Sequence, residues 1–220
     1  RDSSVVVLHA GSSDGSCAVL PGCATRKYHS SRRDAFKSIN QEPIAHISID
    51  RGTPSIEMGE AVPFDARTEA ISPMMFDEST RIAQFLADGH LQPDMVQSAI
   101  DADYDALLFH GTGLGHLPIA DPQEDSPENT RLRIMLADHC AAGGIVVVVT
   151  QTIHGPVHMD VYDKGRDQQE MGIIGHGSLC PPSSALVKLH HLLSRDEGRD
   201  CVAEGWDSDL VGENPPDSFS

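Results

Sequence analysis

Residues 145–150 read Ile145-Val146-Val147-Val148-Val149-Thr150 and come directly after the glycine pair Gly143-Gly144. A short run of β-branched residues bounded by turn residues predicts a strand that is buried on both faces, as in a parallel sheet. This run is the longest apolar candidate, and it is far shorter than the ~18–20 residues that a membrane-spanning helix needs. We therefore do not expect a membrane protein.

Strands and helices alternate around this run. The predicted elements are a strand at 81–86, a helix at 92–102, a strand at 106–109 and a helix from about 128 to 142. Such alternation predicts a small parallel sheet with helices on both faces. A last helix is expected after Pro181-Pro182, with Ser183 or Ser184 as its N-cap.

The first part of the chain has a different pattern, without predicted helices. Residues 4–9 predict a buried strand, and the glycine-rich turn at 11–15 can return the chain into a second strand near 17–20. From Ile44 to Glu57 polar and apolar residues alternate loosely, which predicts two short strands around an Arg51-Gly52 turn.

The chain is strongly acidic, with 16 Lys and Arg against 33 Asp and Glu and a formal net charge of −17. Such a surface is suited to concentrated salt, where like-charge repulsion is screened, so we expect a salt-loving source. The same charge argues against a surface that binds nucleic acid as a whole, because phosphate binding depends on clustered Lys and Arg. One basic cluster remains, at residues 26–33.

The five cysteines are odd in number and form no CxxC pair. This usage favours reduced thiols and a cytoplasmic location over a disulfide scaffold or a closed zinc site. The start of the chain has no signal-peptide pattern. It begins on Arg1 rather than Met, so we expect the sequence to be the later part of a longer one.

The loop Gly111-Thr112-Gly113-Leu114-Gly115-His116 follows a predicted strand. Ligands of parallel sheets gather beyond the carboxyl ends of the strands, so this position is compatible with a binding site. The loop nevertheless does not fit a dinucleotide fingerprint, because the third glycine of that motif is missing at its required spacing. A tight connection explains the glycines equally well, and nucleotide binding is not our prediction.

The twelve histidines invite a metal interpretation, which the spacing does not support. His154 and His158 could meet on a helix, but Gly155-Pro156 between them disfavours one. The adjacent pair His190-His191 should point in different directions on its helix. The sequence also has no HExxH motif, so we predict neither a metal nor a cofactor.

Lys27 is the candidate catalytic residue. Arg26, Arg32 and Arg33 lie around it in the sequence. Neighbouring positive charge disfavours the ammonium form, and partial burial would lower the pKa of such a lysine further, towards the range useful for proton transfer. The alternative is an exposed basic loop that pairs with the acidic surface.

The stretch Thr25-Arg26-Lys27-Tyr28-His29-Ser30-Ser31-Arg32-Arg33-Asp34-Ala35-Phe36-Lys37-Ser38-Ile39-Asn40 resembles the lysine-bearing segment of the asparaginase/glutaminase superfamily. Three later stretches agree with it: residues 104–118, residues 150–166 and residues 184–189. Within that superfamily, the sequence of these segments is most similar to the branch formed by the D subunits of archaeal glutamyl-tRNA(Gln) amidotransferases. The resemblance covers about residues 4–195.

The resemblance implies hydrolysis of the side-chain amide of glutamine or asparagine by a threonine nucleophile, with Lys27 in the proton relay. It implies a homodimer and a partner amidotransferase subunit that uses the ammonia to amidate glutamate misacylated on tRNA(Gln). The implied fold class is α/β: the end of a larger α/β amidohydrolase domain followed by a smaller parallel-sheet α/β domain. The corresponding ranges are 1–59, a linker at 60–75, the smaller domain at 76–211 and a tail at 212–220.

The sequence also departs from the family pattern. Neither the TGGT-like nucleophile segment nor the HGTDT-like second segment occurs, and Cys180-Pro181-Pro182-Ser183 replaces a Met-Pro-Glu-Thr lead-in to the last helix. We therefore expect these 220 residues alone to be inactive. Two alternatives stay open, a plain L-asparaginase and a truncated dimerisation or scaffold piece without catalytic activity; substrate-binding residues are not assigned.

Overall fold

The computed structural model describes residues 4–59, 73–195 and 198–215. These residues divide into two compact units. The first unit comprises the described residues up to Pro73 together with residues 209–215. The second unit extends from Met74 to Ser208. The predicted linker at 60–75 lies mostly outside the described residues.

Antiparallel strands form most of the first unit. They are β1 (Val5–His9), β2 (Ser16–Pro21), β3 (Thr25–Lys27), β4 (Phe36–Ser38), β5 (Ala45–Asp50) and β6 (Thr53–Met58). One sheet has the order β1-β2-β5-β6, while β3 and β4 pair separately. The predicted turn between β5 and β6 is present, and both Arg51 (φ 47°) and Gly52 (φ 84°) have the positive φ that a two-residue hairpin turn of type I′ requires.

Residues 209–215 belong to this first unit, in the region where the predicted tail begins. The buried carboxylate of Glu213 accepts hydrogen bonds from the amides of Leu210 (3.0 Å) and Val211 (2.7 Å). The Gln41 side-chain amide donates to the carbonyl oxygen of Gly212 (2.6 Å). Gly212 and Glu213, at the start of the predicted tail, therefore make defined hydrogen bonds within the first unit.

The second unit is built on a three-stranded parallel sheet in the order β7-β8-β9. Its elements are β7 (Ile82–Leu86), α1 (Pro93–Asp101), β8 (Ala106–Gly111), α2 (Pro127–Ala141), β9 (Val146–Thr150), α3 (Asp163–Glu170), α4 (Pro182–Leu193) and α5 (Gly198–Asp207). The predicted alternation of strands and helices is confirmed, and the order of β7, α1, β8, α2 and β9 agrees with the sequence analysis.

Helices cover both faces of the parallel sheet. Val146, Val147, Val148 and Val149 all have 0% exposed surface, so neither side of β9 reaches solvent. One face packs with α1 and α2 in a core that includes Phe109, whose ring stacks on that of Phe85 at 5.1 Å. Helix α4 packs against β9. The continuous apolar run therefore has the buried environment that its composition predicted.

The start of α4 differs from the prediction. The helix begins at Pro182, and Pro181 rather than Ser183 or Ser184 occupies the N-cap. Proline suits the first helical position because its φ is already helical and because the amide that it lacks would have no partner in the helix. Helices α1 and α2 also begin on proline, at Pro93 and Pro127.

Two helices were not predicted. Helix α3 contains no apolar side chain, and α5 lies beyond α4, the last helix that the sequence predicts. Among the described residues, no helix is both long and apolar enough to cross a membrane.

Candidate functional site

The hairpin of β3 and β4 positions the candidate catalytic lysine. Lys27 lies directly opposite Phe36 in the antiparallel register, so both side chains project from the same face. The Lys27 Nζ atom lies 5.7 Å from the centre of the Phe36 ring, and the side chain is exposed. Arg26 and Lys37 form the neighbouring pair and therefore project from the opposite face.

The base of the hairpin is well anchored. The Thr25 hydroxyl donates to the carbonyl oxygen of Pro21 (2.6 Å), and the Ile39 amide donates to that of Ala24 (2.7 Å). Ala24, Ala35 and Ile39 are buried at 0–1% exposure. The backbone that carries Lys27 is thus fixed by buried neighbours on both strands, although its own side chain extends into solvent.

Acidic side chains compensate two of the three arginines near Lys27. Arg32 binds Asp34 through two hydrogen bonds (2.8 and 2.7 Å), and Arg33 forms an ion pair with Asp14. Partial loss of hydration raises the pKa of Asp34, but the hydrogen bonds and the charge of Arg32 outweigh this effect and hold the pKa below its usual value. The cluster therefore places less net positive charge around Lys27 than its sequence suggests. The catalytic role of Lys27 stays a prediction.

The glycine-rich loop at the end of β8 is a tight turn. The amides of Gly115 (3.0 Å) and His116 (2.9 Å) both donate to the carbonyl oxygen of Thr112. A Cβ atom on Gly111 would lie 2.5 Å from the backbone carbon of Gly115, so the returning chain leaves no room for a side chain there. Gly115 itself has φ 93°. These features explain the glycines as turn residues.

Gln168 of α3, which the sequence did not identify as a structural residue, binds this loop through two hydrogen bonds. Gln168 has no exposed surface; its Oε1 accepts from the Leu117 amide (2.8 Å), and its Nε2 donates to the Gly115 carbonyl oxygen (3.0 Å). The side chain thus satisfies two buried backbone groups that the turn leaves without partners in the sheet. Its only sequence signal is a polar residue within a stretch that was not assigned to a helix.

The segment after β9 contacts the same loop. The Thr150 hydroxyl donates to the carbonyl oxygen of Gly113 and lies 2.8 Å from the Thr152 hydroxyl. The Gln151 side-chain amide donates to the carbonyl oxygens of Ala87 and His110, both at 2.7 Å. The polar side chains at the carboxyl end of the sheet therefore hold neighbouring loops together.

The last residue of the loop, His116, is 5% exposed, and its ring meets that of Tyr162 edge-on at 5.5 Å between centroids. Its Nε2 atom is buried and has no hydrogen-bond partner within the described part of the chain. Burial lowers the pKa of His116, and the charge of Lys164 lowers it further. The neutral ring is therefore the form that this environment favours.

The histidine pairs considered in the sequence analysis lie in different settings. His190 and His191 both contact Phe76, with ring centroids 4.9 and 6.0 Å from its ring, and His190 Nε2 lies 2.8 Å from the carbonyl oxygen of Asp77. Adjacent residues on a helix thus share one aromatic neighbour. His158 does not meet His154 on a helix, since no residue from 151 to 160 is helical.

Comparison with known proteins assigns the family. The profile of the Glutaminase/Asparaginase C-terminal domain family matches residues 82–204, so the chain belongs to the glutaminase/asparaginase family. The D subunit of glutamyl-tRNA(Gln) amidotransferase from Methanosarcina mazei is 33% identical over 214 residues, which is 96% of this chain and 44% of that protein. The corresponding D subunit from Haloquadratum walsbyi is 33% identical over 186 residues, or 84% of this chain and 38% of that protein.

A solved structure shows the same fold. L-asparaginase I from Vibrio cholerae superimposes with a TM-score of 0.73 at 24% identity, over 90% of this chain and 55% of that chain. The two amidotransferase relatives are longer: the present chain spans less than half the length of each of them. The predicted fold class and family are confirmed.

Proposed function

We propose that this chain is part of the glutaminase subunit of an archaeal tRNA-dependent amidotransferase. One observation carries the proposal: the similarity to the Methanosarcina mazei amidotransferase relative extends over 96% of the chain, so it includes the Lys27 hairpin as well as the smaller domain. In this proposal residues 1–59 end the larger amidohydrolase domain, 60–75 link the domains and 76–211 form the smaller one.

The proposed chemistry is hydrolysis of the glutamine side-chain amide. A threonine hydroxyl attacks the amide carbon and gives its proton to a relay that includes Lys27. The relay returns a proton to the amide nitrogen as the C–N bond breaks, so that ammonia leaves, and water then hydrolyses the acyl-enzyme ester to release glutamate. The threonine belongs to a segment that this sequence does not contain. The Lys27 side chain is exposed within this chain rather than partly buried, so in this proposal its burial has to come from that segment. The reaction requires no cofactor.

The proposal also names partners. The ammonia would pass to a partner amidotransferase subunit, which amidates glutamate misacylated on tRNA(Gln). A homodimer and a cytoplasmic location are part of the same proposal. The strongly acidic surface of this chain is consistent with contact to tRNA through the complex rather than through this surface as a whole.

The proposal is tested by measuring ammonia release from glutamine. The chain is assayed alone and together with the part of the Methanosarcina mazei relative that it does not match, supplied as a separate polypeptide. We expect no turnover by the chain alone and glutamine-dependent ammonia release by the mixture. Turnover by the chain alone would contradict the proposed division of the active site. Association without turnover would favour a scaffold piece.

The second candidate is a plain L-asparaginase, which the likeness to the Vibrio cholerae L-asparaginase fold favours. The active mixture separates the two functions. A glutaminase subunit should release ammonia from glutamine and respond to misacylated tRNA(Gln) with its partner subunit, whereas an asparaginase should prefer asparagine and ignore the tRNA.

A further inference from the structure

Two imidazole rings and a carboxylate lie close together in the second unit, and none of them belongs to the β3–β4 hairpin or to the glycine-rich loop. His158, Asp160 and His176 place one possible ligand atom each within 4.8 Å of the others. This is the only such set of three His, Cys, Asp or Glu side chains found within residues 4–59, 73–195 and 198–215. None of the three residues is buried, whereas Met159 between the first two has no exposed surface.

The backbone holds the two histidines at a fixed separation. The Val157 amide donates to the Ser178 carbonyl oxygen (2.9 Å), and the Gly177 amide donates back to that of Val157 (2.8 Å). The His158 amide donates to the carbonyl oxygen of Leu114 in the glycine-rich loop (2.9 Å). The segments that carry His158 and His176 are therefore paired before any ligand binds, and such preorganisation favours a binding site.

The carboxylate is also oriented. Asp160 Oδ1 accepts a hydrogen bond from the Gln169 side-chain amide (2.8 Å), and Oδ2 lies 3.4 Å from Nε2 of His176. Asp160 is thus an anionic ligand with one oxygen held by a neighbouring side chain, as metal-binding carboxylates commonly are.

We propose that His158, Asp160 and His176 bind a divalent transition-metal ion of the Zn²⁺ type. Two imidazoles and one carboxylate are a ligand set that such ions accept. Two ligand atoms that each bind zinc at about 2.1 Å in tetrahedral geometry lie about 3.4 Å apart, which matches the 3.4 Å between His176 Nε2 and Asp160 Oδ2. His158 places its ligand atom within 4.8 Å of the other two, and a fourth position faces solvent beside the 61% exposed Asp160 side chain.

Metal binding at Nε2 of His176 should break a hydrogen bond that the other ring nitrogen, Nδ1, accepts. Nδ1 of this ring accepts from the Met159 amide (3.0 Å), so a neutral ring carries its proton on Nε2. A metal on Nε2 displaces that proton, and the ring must then hold a proton on Nδ1. The Met159 amide therefore loses its acceptor when the metal binds. The ion would replace this contact by a link between the 158–160 segment and the turn around His176.

Metal titration of the full chain tests the proposal. Zn²⁺ binding is measured calorimetrically and Co²⁺ binding by its visible spectrum, for the native chain and for His158→Gln, Asp160→Asn and His176→Gln. We expect one site and at least a tenfold weaker affinity in each variant, with the control His191→Gln unchanged. Circular dichroism checks that each variant is folded. Binding that the three variants do not weaken would overturn the proposal.

A second readout concerns the Met159 amide. In an NMR titration with Zn²⁺ we expect its hydrogen exchange to become faster, while the exchange of the Val157 and Gly177 amides stays slow. An unchanged Met159 amide in a metal-bound chain would remove His176 from the ligand set and would contradict the three-ligand site. Neither experiment depends on amide hydrolysis, so the proposed function and the metal site can fail separately.

Discussion

Gln168 shows how one buried side chain can support a loop in another part of the sequence. It satisfies an amide on Leu117 and a carbonyl on Gly115, and both residues are buried. Leaving a buried backbone group without a partner costs about 1–3 kcal/mol. The loop therefore depends on an amide side chain at this position rather than on helix packing alone.

We expect Gln168→Leu to lower the free energy of unfolding by about 2–4 kcal/mol, because leucine fills the space but leaves both backbone groups unpaired. The measurement is urea denaturation of the native chain and the variant. The exposed Gln123 provides a matched control, and Gln123→Leu should change the free energy by no more than about 0.5 kcal/mol. Equal effects of the two substitutions would contradict the role given to Gln168.

Sequence alone could not identify Gln168 or the cluster at His158. The eight residues of α3 contain no apolar side chain, so the periodicity that reveals an amphipathic helix is missing there. His158 and His176 are separated by 18 positions, which matches no metal-binding spacing rule. They meet because two loop segments pair through backbone hydrogen bonds, a tertiary contact that local patterns do not encode.

At the scale of an element, the glycine-rich loop shows two different reasons why a position requires glycine. Gly113 has φ 50° and open space around its Cβ position, whereas Gly111 would place a Cβ atom against the backbone of Gly115. The first glycine is required by backbone conformation alone, and the second by the close approach of the returning chain.

Alanine substitution should separate these effects. We expect Gly113→Ala to cost about 1 kcal/mol, the usual penalty for a non-glycine residue in the left-handed region. Gly111→Ala should cost more than about 2 kcal/mol, because two backbone segments must move apart. Thermal or urea unfolding measures both. A larger loss at Gly113 than at Gly111 would show that the turn geometry is wrong.

Elements with a strong periodic signal were predicted well. The strands and helices from β7 to β9 follow from apolar runs of the right length between glycine and proline residues, and observed boundaries differ from predicted ones by a few residues. Helix α5 also carried a signal, since the buried Val202 and Trp206 are four positions apart. The last helix predicted from the sequence was α4, so α5 was not included.

For the whole molecule, the buried His116 and the half-buried His139 give stability a pH dependence. Burial is the main cause of the lowered pKa of both His116 and His139, and the charges of Lys164 and Arg199 add to it. In the unfolded chain both rings take up protons below about pH 6.5, while the folded chain keeps them neutral to lower pH. Their contribution is therefore complete above this value and is lost as the pH falls.

Urea denaturation at about pH 7.5 and about pH 5.5 checks this sign, and the free energy of unfolding should be lower at the acidic pH. The double variant with His116→Gln and His139→Gln should show a smaller difference between the two conditions. The exposed His46 serves as the control, and His46→Gln should leave the pH dependence unchanged. A stability that rises on acidification would contradict the account.

The net charge of −17 predicts a second whole-molecule property. Repulsion among surface carboxylates opposes the compact state, and the Debye length shrinks to about 3 Å at 1 M salt. We expect Tm to rise by several degrees between about 0.1 M and about 2 M KCl, with most of the gain at the lower concentrations, where screening changes fastest. Differential scanning calorimetry measures this, and a Tm that is flat or falls would contradict it.

The most direct test of the central claim compares two lysines of one hairpin. Lys27 and Lys37 lie on opposite faces of the β3–β4 pair, and both are exposed. In the mixture with the unmatched part of the Methanosarcina mazei relative, Lys27→Met should abolish ammonia release from glutamine without preventing association, while Lys37→Met should retain it. Full ammonia release by Lys27→Met would contradict the assignment of Lys27 to the proton relay.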